Sequence, residues 1–215
     1  MVQLNRYIDH TLLKPTATAA DIEQLCNEAK QYRFASVCVN PYYVPLAKKL
    51  LSGSGVLVCT VIGFPLGANA TAVKALETAQ AERDGCDEFD MVINVGALKA
   101  GCINEVERDI RAVVEAAGGK TVKVIIETYY LTPEEIAVAS HTASQAGAAF
   151  VKTCTGFNAG VATVENVRLM KQNVAPGVRI KASAGIRSYE QALALVENGA
   201  ERLGTSAGVK IVRGE

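Results

Sequence analysis

Eight short apolar runs, separated by amphipathic segments, limit this sequence to few folds. They lie at 36–39, 57–62, 88–94, 122–127, 149–153 and 178–182, with weaker ones at 8–11 and 201–204. Their apolar character is nearly continuous rather than alternating, which suits parallel strands covered on both faces. The intervening segments carry helix-start signals. Thr18 with Asp21 resembles a capping box ahead of the stripe Ile22, Leu25, Cys26 and Ala29. The same signature is expected at Asn104 with Glu107, at Thr132 with Pro133 and Glu135, and at Ser188 with Gln191.

Strand and helix in alternation imply βαβ units and an all-parallel sheet. Two architectures satisfy that pattern, a closed barrel and an open doubly wound sheet. The open sheet that binds a dinucleotide would carry a Gly-x-Gly-x-x-Gly turn after its first strand, and none is present. The repeat of roughly 25 to 30 residues fits a compact (β/α)8 TIM barrel. The expected fold is therefore an α/β (β/α)8 barrel, a single domain over 1–215, with its chemistry at the C-terminal rim of the strands.

Composition narrows the function. The 215 residues carry 22 basic and 22 acidic side chains, and the basic ones do not cluster, so neither nucleic acid nor a membrane is an expected partner. No apolar run is long enough to span a bilayer. The six cysteines have no short-spaced pair and no leader sequence ahead of them, which reads as reduced thiols in a cytoplasmic protein. With His10 and His141 far apart and no Cys-x-x-Cys, no metal site is expected.

The informative residues are charges inside apolar strands. Asp90 lies in DEFDMVINVG, Lys123 and Glu127 bracket the centre of VKVIIET, Lys152 lies in AFVKTCTGF, and Lys181 in VRIKASAGIR. A charge buried alone costs many kcal/mol, so each needs a partner or an altered protonation state. Taken singly, each fits a structural ion pair. Together they suggest more, because Lys152 and Lys181 end adjacent strands before Gly/Ser/Thr-rich loops. Two neighbouring ammonium groups are expected to lower each other's pKa, and a lysine nucleophile must be a free amine. Two later loops, Gly185-Ile186-Arg187-Ser188 and Gly204-Thr205-Ser206-Ala207-Gly208, stand where such a barrel often binds phosphate. Each alone is also an ordinary turn or helix cap.

The runs IDHTLLKP, ASVCVNP, EFDMVINVGAL, VKVIIET, VKTCTGF, KASAGIR and ERLGTSAG, in that order along nearly the whole chain, resemble the deoxyribose-phosphate aldolase family in its shorter bacterial and archaeal branch. The resemblance implies a class I aldolase needing no cofactor or metal. Its substrates would be a small phosphorylated sugar and aldehydes, and its assembly a homodimer or homotetramer. It implies Lys152 as the Schiff-base lysine, Lys181 as the lysine that keeps it deprotonated, and Asp90 as the proton-transfer group. Lys123 and Asp9 would support that network. Thr155, Gly156, Gly185, Arg187, Gly204 and Ser206 would surround the phosphate.

The chain departs from the family pattern in three places. Ala184 replaces the first glycine of Lys-Ala-Ser-Gly-Gly, Phe157 stands where some longer relatives carry a phosphate-assisting lysine, and the sequence ends at Glu215 without the terminal tyrosine of some relatives. Arg187 and loop amides are then expected to carry more of the phosphate charge, and proton transfer to proceed without the tyrosine or more slowly. Cys38 reads as a small buried hydrophobe and His10 as a structural hydrogen-bonder near its strand end. Two rivals remain: a Schiff-base aldolase or transaldolase-like enzyme for another substrate, and a sugar-phosphate sensor. A sensor needs no lysine with an altered pKa.

Overall fold

In the computed structural model, which describes residues 2–215, all eight strands close into one parallel barrel in sequence order. The first half runs β1 Ile8–Leu12, α1 Ala19–Tyr32, β2 Ser36–Val39, α2 Val44–Leu50, β3 Leu57–Ile62, α3 Thr71–Arg83, β4 Glu88–Val92, α4 Val95–Lys99 and α5 Ile103–Ala116. The second half runs β5 Thr121–Ile125, α6 Pro133–Gln145, β6 Phe150–Lys152, α7 Val164–Gln172, β7 Arg179–Ser183, α8 Tyr189–Glu197, β8 Ala200–Thr205 and α9 Gly208–Arg213. The closed (β/α)8 barrel, not the open sheet, is the fold. Among the described residues no helix is long and apolar enough to cross a membrane.

Strand alternation divides the burial. Ile8, Val37, Val58, Phe89, Met91, Val124, Val151, Ile180 and Leu203 pack outward with Ile22, Ile110, Ile136, Val167 and Leu195 of the helices into the main core. Each such aliphatic side chain contributes about 1.5–3 kcal/mol of transfer free energy. The alternate positions form the barrel interior. There, Leu13, Cys38, Cys59 and Val61 make a small separate cluster on the β2–β3 side. The buried charges Asp9, Glu88, Asp90, Lys123, Lys152, Lys181 and Arg202 occupy interior positions beside it.

Several ends differ from the expected limits, each for a local reason. Strand β4 stops at Val92 because the Asn94 side chain caps α4, accepting from the Ala97 N–H. Strand β5 stops at Ile125 because Glu127 turns to φ 56°. Capping boxes form at Thr18–Asp21 and Thr132–Glu135. At α8, Ser188 accepts from the Gln191 N–H, but the Gln191 side chain bonds the Arg187 N–H, so this box closes one residue early. The box expected at Asn104 and Glu107 does not form. Helix α5 begins earlier, at Ile103 after Cys102, following the turn at Gly101 with φ 75°.

Candidate active site

Asp90 on β4 and Lys123 on β5 are direct register partners inside the barrel, as are Lys152 on β6 and Lys181 on β7. Both Lys152 Nζ and Lys181 Nζ lie 2.7 Å from Oδ2 of Asp90, while Lys123 Nζ lies 2.9 Å from its Oδ1. Lys181 also reaches Asp9 on β1 at 2.5 Å, and Ser36 donates to the other Asp9 oxygen at 2.6 Å. Thus Asp9, Asp90, Lys123, Lys152 and Lys181, separated widely in sequence, are one connected network.

Two members escape sequence inspection. Arg202 on β8 bonds Asp9 at 2.6 Å and Glu88 on β4 at 2.5 Å, and Glu88 also lies 2.7 Å from Lys123. These two complete the network, so Asp9, Glu88 and Asp90 each have at least two charged donors. Strand alternation could have found Arg202, since its outward neighbour Leu203 fixes which residues turn inward.

The electrostatics correct one expectation. Two neighbouring ammonium groups would depress each other's pKa, yet the Lys181 pKa is raised. Burial pulls it down, but Asp9 and Asp90 at hydrogen-bond distance outweigh both burial and the Lys123 charge. Lys123 is likewise lifted well above the usual lysine value, with burial opposed by Asp90, Asp9 and Glu88. Burial would raise the Asp90 and Asp9 carboxyls, but the surrounding lysines, with Arg202 on Asp9, hold both below the ordinary range. Lys181 is therefore a fixed cation beside Lys152 rather than a second amine.

Above the network lies a cleft of about 550 Å³ at the C-terminal ends of β1 and β6–β8. Lys152 lies on its floor, and Thr155, Gly156, Gly185, Arg187, Gly204 and Ser206 line its wall. All six residues expected around the phosphate are therefore gathered on one side. Gly156 and Gly185 adopt φ 81° and 76°, which only glycine adopts without strain. Lys14, from the segment after β1, adds a second cation to this wall, one that no sequence pattern singles out. Glu127 is buried and accepts from the Thr155 N–H through both oxygens, at 3.3 and 3.2 Å, fixing the start of the β6–α7 loop.

Two of the departures have visible surroundings. Ala184 takes φ 82°, a left-handed conformation costly for a residue with a Cβ. Phe157 is half exposed and packs edge-on against Phe64 at 5.0 Å, forming an apolar rim. His10 makes its structural hydrogen bond to α1. Its Nε2 pairs with Glu28 at 2.7 Å, and burial lowers its pKa. Tyr129 and Tyr130 stand on the exposed rim. Cys38, Cys59 and Asp90 offer three potential metal ligands within 4.8 Å, but the ammonium groups already on Asp90 make this a poor place for another cation.

A buried lysine network that meets the cleft only through Lys152, held from beneath by a buried carboxylate, is the equipment of a lysine-dependent, class I aldolase built on a (β/α)8 barrel. The chain belongs to the DeoC/LacD family of aldolases, whose model matches residues 4–214. It is 59% identical over 214 residues to the deoxyribose-phosphate aldolase of Streptococcus gordonii, covering 100% of this chain and 97% of that one. Among solved structures it resembles the aldolase QR15, at TM-score 0.95 and 41% identity, covering 99% of this chain and 96% of that one. It also resembles the tetrameric deoxyribose phosphate aldolase of Aeropyrum pernix, at TM-score 0.91 and 34% identity, covering 98% and 89%.

Proposed function

We propose that this protein is a deoxyribose-phosphate aldolase. It cleaves 2-deoxy-D-ribose 5-phosphate reversibly to D-glyceraldehyde 3-phosphate and acetaldehyde through a Schiff base on Lys152. The observation that carries this reading is that Lys152 is the one network lysine lining the cleft, while it shares Asp90 Oδ2 with the fixed cation Lys181.

Schiff-base chemistry uses the free amine of Lys152. The carboxylates Asp9, Glu88 and Asp90 are then matched by Lys123, Lys181 and Arg202. In cleavage, that amine adds to the C1 aldehyde and forms a carbinolamine. Loss of water, with Asp90 relaying the proton, gives an iminium that withdraws electrons. The C3 hydroxyl then loses its proton, the C2–C3 bond breaks, and glyceraldehyde 3-phosphate departs with the new carbonyl. The electron pair remains as an enamine, which takes a proton at carbon. Water hydrolyses the resulting iminium, releasing acetaldehyde and restoring the amine.

Lys181 holds Asp90 in place and sets a fixed positive charge beside Lys152. Lys123 and Asp9 orient those two groups. The phosphate would lie against Gly156, Gly185, Gly204 and Ser206 with Arg187 nearby, supplying binding and orientation away from the reacting bond. A cytoplasmic location and a homodimer or homotetramer belong to the same reading. The free cysteines support the first, and the tetramer from Aeropyrum pernix supports the second.

The direct assay couples cleavage of deoxyribose 5-phosphate to detection of glyceraldehyde 3-phosphate. Turnover resistant to chelators is expected. Absence of turnover with this sugar but turnover of another phosphorylated aldol would replace the substrate, and inactivation by EDTA restored by zinc would overturn the mechanism.

A further inference from the structure

The aldol chemistry uses no thiol, yet two cysteines lie against its carboxylate. Cys38 on β2 and Cys59 on β3 are direct register partners. Both are fully buried, and they share the small interior cluster with Leu13 and Val61. Their sulfur atoms and a carboxylate oxygen of Asp90 lie within 4.8 Å of one another. Paired strands stand about 4.8 Å apart, inside the Cα separation of roughly 4.4–6.8 Å that a disulfide spans. Closure therefore asks for side-chain rotation more than backbone movement.

We propose that Cys38 and Cys59 form an oxidisable dithiol that closes to a disulfide under peroxide and reversibly shuts the aldolase site. Its effect on turnover rests on the proposed role of Asp90.

The two thiols are unlike each other. The adjacent Cys59 thiol, with the charges of Lys181 and Lys152, lowers the Cys38 pKa against burial and the Asp90 charge. Burial, with the adjacent Cys38 thiol and the nearby Asp90 charge, lifts Cys59 well above the ordinary thiol value. Cys59 directs its proton to Asp90 Oδ1 at 3.1 Å, which leaves Cys38 as the partner for attack and Cys59 as the one for resolution. By contrast, burial pushes Cys26 up to about 11 and Cys86 up to about 12, and both lie outside the strands, with no cysteine facing them in register.

The chemistry balances with hydrogen peroxide as oxidant. The Cys38 thiolate attacks one peroxide oxygen, the O–O bond breaks, and hydroxide leaves, giving a sulfenic acid. The Cys59 sulfur attacks that sulfur, the S–O bond breaks, and water is formed with the Cys59 proton. Two thiols and one peroxide become one disulfide and two waters. Leu13 both lines the cleft and packs on the two cysteines, so the dithiol lies one side chain below the substrate space.

Closure would disturb the network directly. Cys59 Sγ lies 3.1 Å from Asp90 Oδ1 and accepts from Lys123 Nζ at 3.2 Å. Turning that sulfur toward Cys38 and removing its proton loses both contacts. A reducing cytosol would keep the pair open, and oxidative stress would close it.

The test uses the full chain carrying Cys102→Ser, which removes the exposed thiol. After peroxide treatment and alkylation of remaining thiols, non-reducing peptide mapping should show one Cys38–Cys59 linked peptide. The aldolase rate should fall by about tenfold or more, a barrier increase of about 1.4 kcal/mol. Dithiothreitol should reverse both changes. In the Cys102→Ser/Cys59→Ser protein, Cys38 should instead advance to sulfinic acid, which dithiothreitol does not reduce. Absence of the link, a link to another cysteine, or a linked enzyme at full activity would each overturn the proposal. A wrong substrate or mechanism would show as missing turnover before peroxide is added, whereas a wrong dithiol would leave an active enzyme with no link.

Discussion

Lys152 and Lys181 face each other across β6 and β7 and donate to the same oxygen of Asp90, each at 2.7 Å. Because Lys181 is also held by Asp9, its charge is fixed, and the shared oxygen makes Lys152 feel that charge at close range. Replacing Lys181 by Met removes the fixed cation while keeping much of the stem. Turnover of the substrate-saturated enzyme is expected to slow by about 100-fold or more, of order 3 kcal/mol, with a smaller change in KM. An unchanged kcat would assign Lys181 to stability alone.

Arg202 ties Asp9 to Glu88, and removing it leaves two buried carboxylates short of a partner. Arg202→Met is expected to cost about 3–5 kcal/mol in urea unfolding. Adding Glu88→Gln should recover part of that loss, and the double-mutant cycle measures the coupling. Strictly additive effects would mean that the two do not interact.

Ala184 holds a left-handed backbone at φ 82°, where a Cβ costs roughly 1–2 kcal/mol. Ala184→Gly should therefore raise the unfolding free energy by about 1 kcal/mol despite glycine's greater freedom in the unfolded chain. A lower melting temperature would show that the methyl group's packing outweighs the strain.

Stability should depend on pH in opposite ways at the two extremes. Asp9 and Asp90 have folded pKa values below the unfolded value of about 3.9, so their contribution is complete above that pH and disappears as pH falls through the folded values. Lys123 and Lys181 have folded values above about 10.4, so theirs is complete below that pH and is lost as pH rises through the folded values. Urea midpoints measured against pH should form a plateau with both limbs. Asp90→Asn should flatten the acid limb, and an unaltered limb would contradict the assigned pairing.

Arg187 and Lys14 are the cations on the wall of the cleft. Arg187→Gln should raise KM for the phosphorylated sugar by about tenfold or more, the value of a lost charge-assisted hydrogen bond, while leaving kcat/KM for unphosphorylated deoxyribose nearly unchanged. Equal losses for both sugars would remove Arg187 from phosphate recognition.

Much of this site is legible because burial makes charge conspicuous. Asp90, Lys123, Lys152 and Lys181 interrupt apolar strands, and alternation alone sends them inward. Arg202 is obscured by Glu201, its exposed neighbour, which pairs with Lys171 at 2.7 Å and gives the segment the look of a solvated strand end. Glu88 is hidden among the acids of Asp87-Glu88-Phe89-Asp90. Lys14 lies outside any strand, and only barrel closure brings it to the loops after β6–β8. The direction of the Lys181 shift is not legible either, since it depends on two carboxylates, one of them 172 residues away in sequence.

Borohydride reduction in the presence of acetaldehyde, followed by peptide mass spectrometry, tests the assignment of Lys152 most directly. One ethyl group on Lys152 is expected, with none in the Lys152→Ala protein. An ethyl group on Lys181 or Lys123 of the unaltered enzyme, or no adduct under conditions of active turnover, would contradict it.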